Sequence, residues 1–189
     1  MNCLLTGIKL NEMKNVLFLL LLITASSCCN NPDTITYNFT NDEKALVPYQ
    51  KQDVVKWQNN EGSVFNVNIL EKTSQIRERS SYDCKSFEGE TIEVKFNIDN
   101  SPYYLTLDKW DDSRIDLSIS SNIGKGNQIT FYSSINKTSS FGTVEFNGEI
   151  FENSIEINGN VPNNTLIYSK TNGIEFILFE DGTWYKRVE

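Results

Sequence analysis

The chemistry open to this chain is limited by its side chains, because its 189 residues contain no histidine. Histidine is the usual general base near neutral pH, a partner in Ser-His and Cys-His pairs, and the commonest zinc ligand. An enzymatic mechanism here would have to use carboxylates, tyrosines, lysines or a cysteine. We therefore predict that the protein is not an enzyme, with no catalytic residue and no cofactor.

Carboxylates are the first group that could still do chemistry. Four aspartates cluster around Trp110 and could hold calcium, which takes about six to eight oxygen ligands; they are Asp108, Asp111, Asp112 and Asp116. Their spacing matches no calcium loop, and no glycine stands at the sharp bend that such a loop requires. The sequence therefore predicts a solvated turn at this place and no metal site.

Paired carboxylates of the glycosidase type are a second possibility, because two such groups about 5 to 10 Å apart can act as acid and base. Glu88 with Glu90, and Asp108 with Glu145, are the candidate pairs. Sequence does not fix the distance between them. A carboxylate-dependent hydrolase is therefore kept as the alternative function.

Aromatic side chains are the third group, since exposed rings on β-domains bind sugars and proteins. Tyr103 and Tyr104 are adjacent, as are Trp184 and Tyr185. Neighbours in a strand point to opposite faces, so one of each pair should be in the core and the other outside, unless a second layer covers it. The candidate binding aromatics are Tyr104, Trp110 and Tyr185.

The elements that must position these residues are strands. From Val54 onward, apolar residues alternate with polar ones, which is typical of half-buried strands. We expect hairpin turns at Asn100–Pro102 and Asn122–Asn127. Four further dipeptides favour type I′ turns; they are Asn147-Gly148, Asn158-Gly159, Asn172-Gly173 and Asp181-Gly182.

The segment Ile174–Phe179 is apolar on both faces and is predicted to be a central strand covered on both sides. Helical periodicity is absent apart from Asn41–Leu46, which could form one turn with Asn41 or Asp42 as N-cap. The polar run Thr73–Asp83 should interrupt the regular pattern. The fold class is all-β, an antiparallel meander of about ten to twelve strands forming a β-sandwich or a curled, barrel-like sheet.

The N-terminal segment has the composition of an export signal. Val16–Ala25 is uncharged, and its ten residues are too few for a membrane-spanning helix, which needs about 20. Lys14 supplies the preceding positive charge, and Met13 is an alternative start of translation. Small residues then lead directly into Cys28.

This junction, Ala25-Ser26-Ser27-Cys28, resembles the lipobox of bacterial lipoproteins. The resemblance implies that residues 1–27 are removed and that Cys28, or alternatively Cys29, receives acyl chains such as palmitate. The protein would then be anchored in the cell envelope as an outer membrane lipoprotein on the periplasmic or surface face. Residues 28–45 would form the lipidated end and a flexible tether, and 46–189 a single all-β domain. Whether Cys29 and Cys84 pair stays open.

Two segments resemble the opening and closing strands of small Bacteroidetes-type lipoproteins. The first is Leu46-Val47-Pro48-Tyr49 with Asp53–Trp57, and the second runs from Ile167 to Trp184 with Gly173 and Asp181-Gly182. The resemblance implies a fold and an address and carries no activity.

Charge and composition limit the partners. The chain has 25 acidic and 17 basic residues, a formal net charge of −8, without a local basic cluster. Such a surface repels phosphate backbones, which excludes nucleic acid as an expected partner. We therefore expect a lipid-anchored envelope protein that acts as a binding or structural module, with a glycan or a protein as its ligand.

Overall fold

The computed structural model describes residues 34–80, 86–123, 127–136 and 141–189. The signal segment, Cys28, Cys29 and Cys84 lie outside these ranges. The described part contains twelve strands and one helical turn, α1 (Asn41–Lys44). The strands are β1 (Thr34–Tyr37), β2 (Val54–Asn59), β3 (Val64–Ser80), β4 (Ser86–Ile98), β5 (Ser101–Asp108), β6 (Arg114–Ile123), β7 (Asn127–Asn136), β8 (Gly142–Phe146), β9 (Glu149–Asn158), β10 (Thr165–Ser169), β11 (Gly173–Leu178) and β12 (Trp184–Val188).

The predicted all-β fold is confirmed, and its form is one curled sheet. The order is β7-β6-β5-β4-β3-β2-β12-β11-β10-β9-β8, and neighbours along it are antiparallel, while β1 pairs in parallel with the first half of β4. The sheet is not closed, but it curls until β7 reaches the chain after β9. Phe131 forms a bridge with Gly159, and the Asn160 amide donates to the Thr130 carbonyl at 2.8 Å. The main core fills the space inside this curl.

Strand β11 is buried on both faces, as predicted. Ile177 belongs to the main core, whereas Phe176 belongs to a second apolar cluster on the outer face of the sheet, with Phe151 and Ile167. The β8–β9 hairpin supplies the covering layer, because a bend at Asn153 (φ 51°) brings Glu149 within 2.5 Å of Lys186 on β12. For the adjacent aromatics Trp184 and Tyr185, the sequence predicted that one would lie outside the core unless a second layer covered it. The β8–β9 hairpin is that second layer, since it covers the outer face that carries Trp184.

The segment from Thr34 to Tyr49 belongs to the domain, so the structured region begins earlier than residue 46, where it was expected to begin. Thr40 is the N-cap of α1, where Asn41 or Asp42 was expected, and it forms a capping box with Glu43. A capping box satisfies two otherwise unpaired backbone donors, which explains the choice of Thr40. Phe39 is buried, and its amide donates to the buried Glu90 at 2.8 Å.

The same segment covers one end of the curled sheet, which we call the covered end. The Tyr168 hydroxyl donates to the Leu46 carbonyl, and the Ile174 amide donates to the Tyr49 hydroxyl at 2.7 Å. These contacts lie where β10 ends and β11 begins. The opposite end, which we call the open end, contains the β4–β5, β9–β10 and β11–β12 connections.

Turn chemistry places most of the connections. Asn147-Gly148 has φ of 52° and 77°, as a type I′ turn requires, whereas in the Asn172-Gly173 and Asp181-Gly182 turns only the glycine has positive φ, so these two are not type I′. The β4–β5 turn is Asp99-Asn100 (φ 46° and 62°) and not Asn100–Pro102, because Asp and Asn tolerate the two positive φ angles of a type I′ turn. Asn158-Gly159 is not a turn.

Gly159 instead makes the close approach to Phe131, and the chain turns at 160–164. The run predicted to interrupt the pattern also differs from expectation, since β3 continues from Thr73 to Ser80 against β4; the rest of that run, residues 81–83, lies outside the described residues. Among the described residues, no helix has the length and apolar character that a membrane crossing requires.

Candidate ligand-binding cavity

A cavity of about 460 Å³ lies at the open end of the curled sheet. This volume is in the range of about 300 to 1,000 Å³ that small-molecule sites occupy. Three connections and the start of β7 form its wall, so the site depends on the curl of the whole sheet. The lining residues are Ile98, Asp99, Ser101, Tyr103, Ile129, Val161, Asn164, Phe179, Glu180, Asp181, Thr183 and Tyr185.

The inner wall of the cavity is aromatic. Tyr103 and Phe179 are buried in the main core, and Tyr185 is 9% exposed. Phe179 and Tyr185 meet edge to face with ring centroids 6.0 Å apart, which fixes the orientation of both rings. The wall can therefore contact the apolar part of a ligand without rearranging.

A hydrogen bond joins this wall to the rim. The Tyr185 hydroxyl donates to Asp99 Oδ2. Burial, together with the negative charge of Asp99, raises the pKa of Tyr185 well above its usual value. Burial likewise raises the pKa of Tyr103 to about 12. Both phenols are therefore neutral near physiological pH, and they offer hydroxyl groups and uncharged rings.

Asn164 carries the unusual feature of the site. The residue is 1% exposed, and its Oδ1 accepts from the Glu180 amide at 2.6 Å. Its Nδ2 has no hydrogen-bond partner among the described residues. Leaving a buried donor unsatisfied costs about 1 to 3 kcal/mol, so such a group is worth explaining. Asn164 lines the cavity, but the Nδ2 atom itself is buried, so a ligand oxygen would reach it only with a movement of this side chain.

The rim of the cavity is acidic. Asp99, Glu180 and Asp181 are exposed, and the described lining contains no Lys or Arg. Asp181 Oδ1 accepts from the Thr183 amide at 2.9 Å, which holds the turn between β11 and β12. The site therefore combines aromatic walls, one unpaired donor and three carboxylates.

Of the three predicted binding aromatics, only Tyr185 lines this cavity. Tyr104 lies on the outer face of β5, half-buried, with Lys95 Nζ 5.7 Å from its ring centroid. Trp110 packs against Gly89 on β4, where an added Cβ would lie 2.6 Å from the indole. The structure thus places Tyr104 and Trp110 outside the open-end cavity.

The predicted carboxylate pairs have structural partners. Glu90 is buried and accepts from Ser74 at 2.7 Å while pairing with Lys44 at 2.8 Å, and Glu88 accepts from Thr36 at 2.9 Å. Asp108 on β5 accepts from Thr91. Neither Glu88, Glu90, Asp108 nor Glu145 lines the open-end cavity.

The aspartates around Trp110 are also separately engaged. Asp111 caps a turn by accepting from Ser113 and the Arg114 amide, which lowers its pKa, while Asp116 accepts from Tyr132 at 2.8 Å. Within the described ranges, no three acidic or cysteine side chains are placed to share a metal ion.

Two other cavities of similar volume, lined by described residues, are weaker candidates. One of about 590 Å³ lies on the outer face beneath the β8–β9 hairpin, where Glu175 accepts from Ser169 at 2.7 Å and from Asn172 at 2.9 Å. Its polar groups are thus largely paired with each other. The other, of about 460 Å³, lies beside α1 and the end of β7, next to residues 137–140, which the structure does not describe.

Sequence analysis missed Asp99, Tyr103, Asn164 and Phe179 as a set. The predicted turn began at Asn100 and left out Asp99, although the Asp-Asn dipeptide is itself a turn signal. Asn164 follows Asn163, which has positive φ, and an Asn-rich segment of this kind predicts a loop without indicating a binding residue. No local pattern reports that these three connections and the start of β7 meet at one end.

Comparisons with known proteins give no further guide: no family model, no curated protein and no solved structure matches this chain.

Proposed function

We propose that this protein is a lipid-anchored binding protein of the cell envelope, and that its open-end cavity holds a small organic ligand. The observation that carries the proposal is the combination of an aromatic cavity with a buried, unpartnered donor, Asn164 Nδ2. Ligand sites are typically concave and mostly apolar, with a few polar groups that fix orientation. The cavity has this composition.

The anchor supports a particular orientation. Five residues separate Cys28 from Thr34, where β1 begins. A chain of this length reaches at most about 20 Å at 3.3 to 3.6 Å per residue. Strand β1 pairs with the first half of β4, toward the covered end, whereas β4 ends at the cavity. The anchor would therefore hold the covered end toward the membrane and leave the cavity open to the aqueous side.

Acylation is tested by labelling. Wild-type protein expressed in an envelope-competent host should incorporate labelled palmitate and partition into detergent, and Cys28→Ser should abolish both. Cys29→Ser is the matched control and should label normally. Loss of labelling only in Cys29→Ser would assign the anchor to Cys29. Absence of labelling in the wild-type protein would remove the anchor from the proposal.

Binding is tested by an NMR screen of a fragment library against the non-acylated Cys28→Ser chain. Binders should shift the Asn164 side-chain amide and the backbone amides of Tyr185 and Asp99. Thr183→Trp, which places a large ring in the lining, should abolish these shifts. A screen with no fragment shifting these signals, or with the same shifts in Thr183→Trp, would overturn the cavity as the binding site.

A further inference from the structure

We propose that the ligand of the open-end cavity is an organic cation: a protonated amine or quaternary ammonium group joined to an aromatic or branched apolar part. This inference rests on the proposed function and names the chemical class of its ligand. It is drawn from the charge, the walls and the unpaired donor of the cavity.

The charge of the rim is the first argument. Asp99, Glu180 and Asp181 come from two different connections that the curl of the sheet brings to one opening. Asp99 uses Oδ2 for Tyr185, and its Oδ1 has no partner among the described residues. The Glu180 carboxylate also has no partner among the described residues, since only the backbone amide of Glu180 is hydrogen-bonded. Carboxylate oxygens without partners in the protein remain available to an external cation.

The contrast with the cavity on the outer face is the second argument. That cavity is lined by Lys56, Lys186 and Arg187 as well as by Glu152 and Glu175. Its lining therefore carries charges of both signs, and Lys186 also pairs with Glu149, outside the lining, at 2.5 Å. The described open-end lining has three acidic residues and no Lys or Arg, so its negative electrostatic potential favours a positively charged ligand.

The walls are the third argument. A cation within about 6 Å of an aromatic centroid is attracted by the ring, and more strongly where water is excluded. Tyr103, Phe179 and Tyr185 provide three rings next to the acidic rim. Asn164 lines the same cavity, and its buried Nδ2, once the side chain moves to meet the ligand, would suit a hydroxyl or carbonyl oxygen on the apolar part of the ligand. A cation that carries an oxygen acceptor would use all three features.

The test compares three probes of one shape and different charge: 2-phenylethylamine, 2-phenylethanol and phenylacetate. Each is titrated at millimolar concentration into the Cys28→Ser chain, and the shifts of Tyr185, Asp99 and the Asn164 side chain are followed by NMR. We expect the amine to bind about tenfold more tightly than the alcohol, and the anion most weakly. Added salt should weaken binding of the amine and leave binding of the alcohol unchanged.

Charge-neutral variants locate the effect. Asp99→Asn combined with Asp181→Asn should reduce amine affinity about tenfold with little change for the alcohol. Asn retains the positive φ and the acceptor at position 99. Asp112→Asn is the matched control, because Asp112 is an exposed acid in the β5–β6 connection and does not line the cavity. It should leave amine binding unchanged.

The outcomes separate the two proposals. Equal binding of amine and alcohol at the cavity would overturn the cation inference and leave the binding function standing. Equal weakening by the cavity variant and by Asp112→Asn would overturn it as well, because the attraction would then come from net charge. If no probe shifts the cavity signals, the cation inference fails, while the fragment screen independently decides the binding function.

Discussion

Truncating both faces of β11 tests how the second apolar layer contributes to stability. Phe176 is 1% exposed and stacks on Trp184 with centroids 5.5 Å apart, with Phe146 and Phe151 at 5.4 and 6.2 Å. Phe→Ala in a core costs about 3 to 5 kcal/mol, and lost aromatic pairs place Phe176 at the upper end of that range. Ile177 is fully buried in the main core, so Ile177→Ala should cost about 2 to 5 kcal/mol.

A clean alternating strand provides the matched control. On β4, Phe96 is 2% exposed and its neighbour Asn97 is exposed. Phe96→Ala should therefore cost about 3 to 5 kcal/mol, whereas Asn97→Ala should change stability by less than about 0.5 kcal/mol. Urea unfolding of the four variants, with midpoints compared at constant slope, measures all of these values. A cost below about 0.5 kcal/mol for Phe176→Ala would show that the β8–β9 hairpin does not cover the outer face.

Three further perturbations address packing and ionisation. Gly89→Ala should destabilise by about 1 to 3 kcal/mol, because its Cβ would lie 2.4 Å from the Lys109 carbonyl and 2.6 Å from the Trp110 ring; unchanged thermal stability would refute this contact. Burial raises the pKa of Tyr103 to about 12, against about 10 when unfolded, so its contribution is complete below pH 10 and is lost as pH rises toward 12. Tyr103→Phe should therefore flatten the alkaline limb of stability against pH, and an unchanged limb would contradict it. Burial acts to raise the pKa of Glu90, but hydrogen bonds from Lys44, Ser74 and Phe39 outweigh burial and lower the pKa below 4.5. The contribution of Glu90 to stability is therefore lost as pH falls through that lowered pKa. Glu90→Gln should flatten the acid limb of stability against pH, measured by urea unfolding.

Period-two alternation was sufficient to predict the all-β class and the strands, because side-chain burial in a strand is a local property. Ile92, Val94, Phe96 and Ile98 are all buried, and Gly173 and Gly182 form the turns that their dipeptides indicated. Ile174–Phe179 was also recognisable, since a strand covered on both sides lacks polar alternation. These features depend on neighbours in sequence.

The curl of the sheet could not be predicted in the same way. The bridge from Phe131 to Gly159 and the contact of Glu149 with Lys186 join residues far apart in the chain. They depend on accumulated twist and on a single bend at Asn153, which alternation does not report. For the same reason, Tyr185 was selected as an aromatic candidate, but its hydrogen-bond partner Asp99 and its neighbour in the cavity lining, Asn164, were not. Their proximity exists only after the sheet has curled.

Mass spectrometry of the protein purified from its own envelope tests the central claim most directly. Denaturing extraction of the wild-type protein should release one small organic molecule at close to one per chain. The Thr183→Trp variant, prepared in parallel, should release far less, because the new ring occupies the cavity. The account is contradicted if wild-type protein releases no such molecule, or if Thr183→Trp releases the same amount.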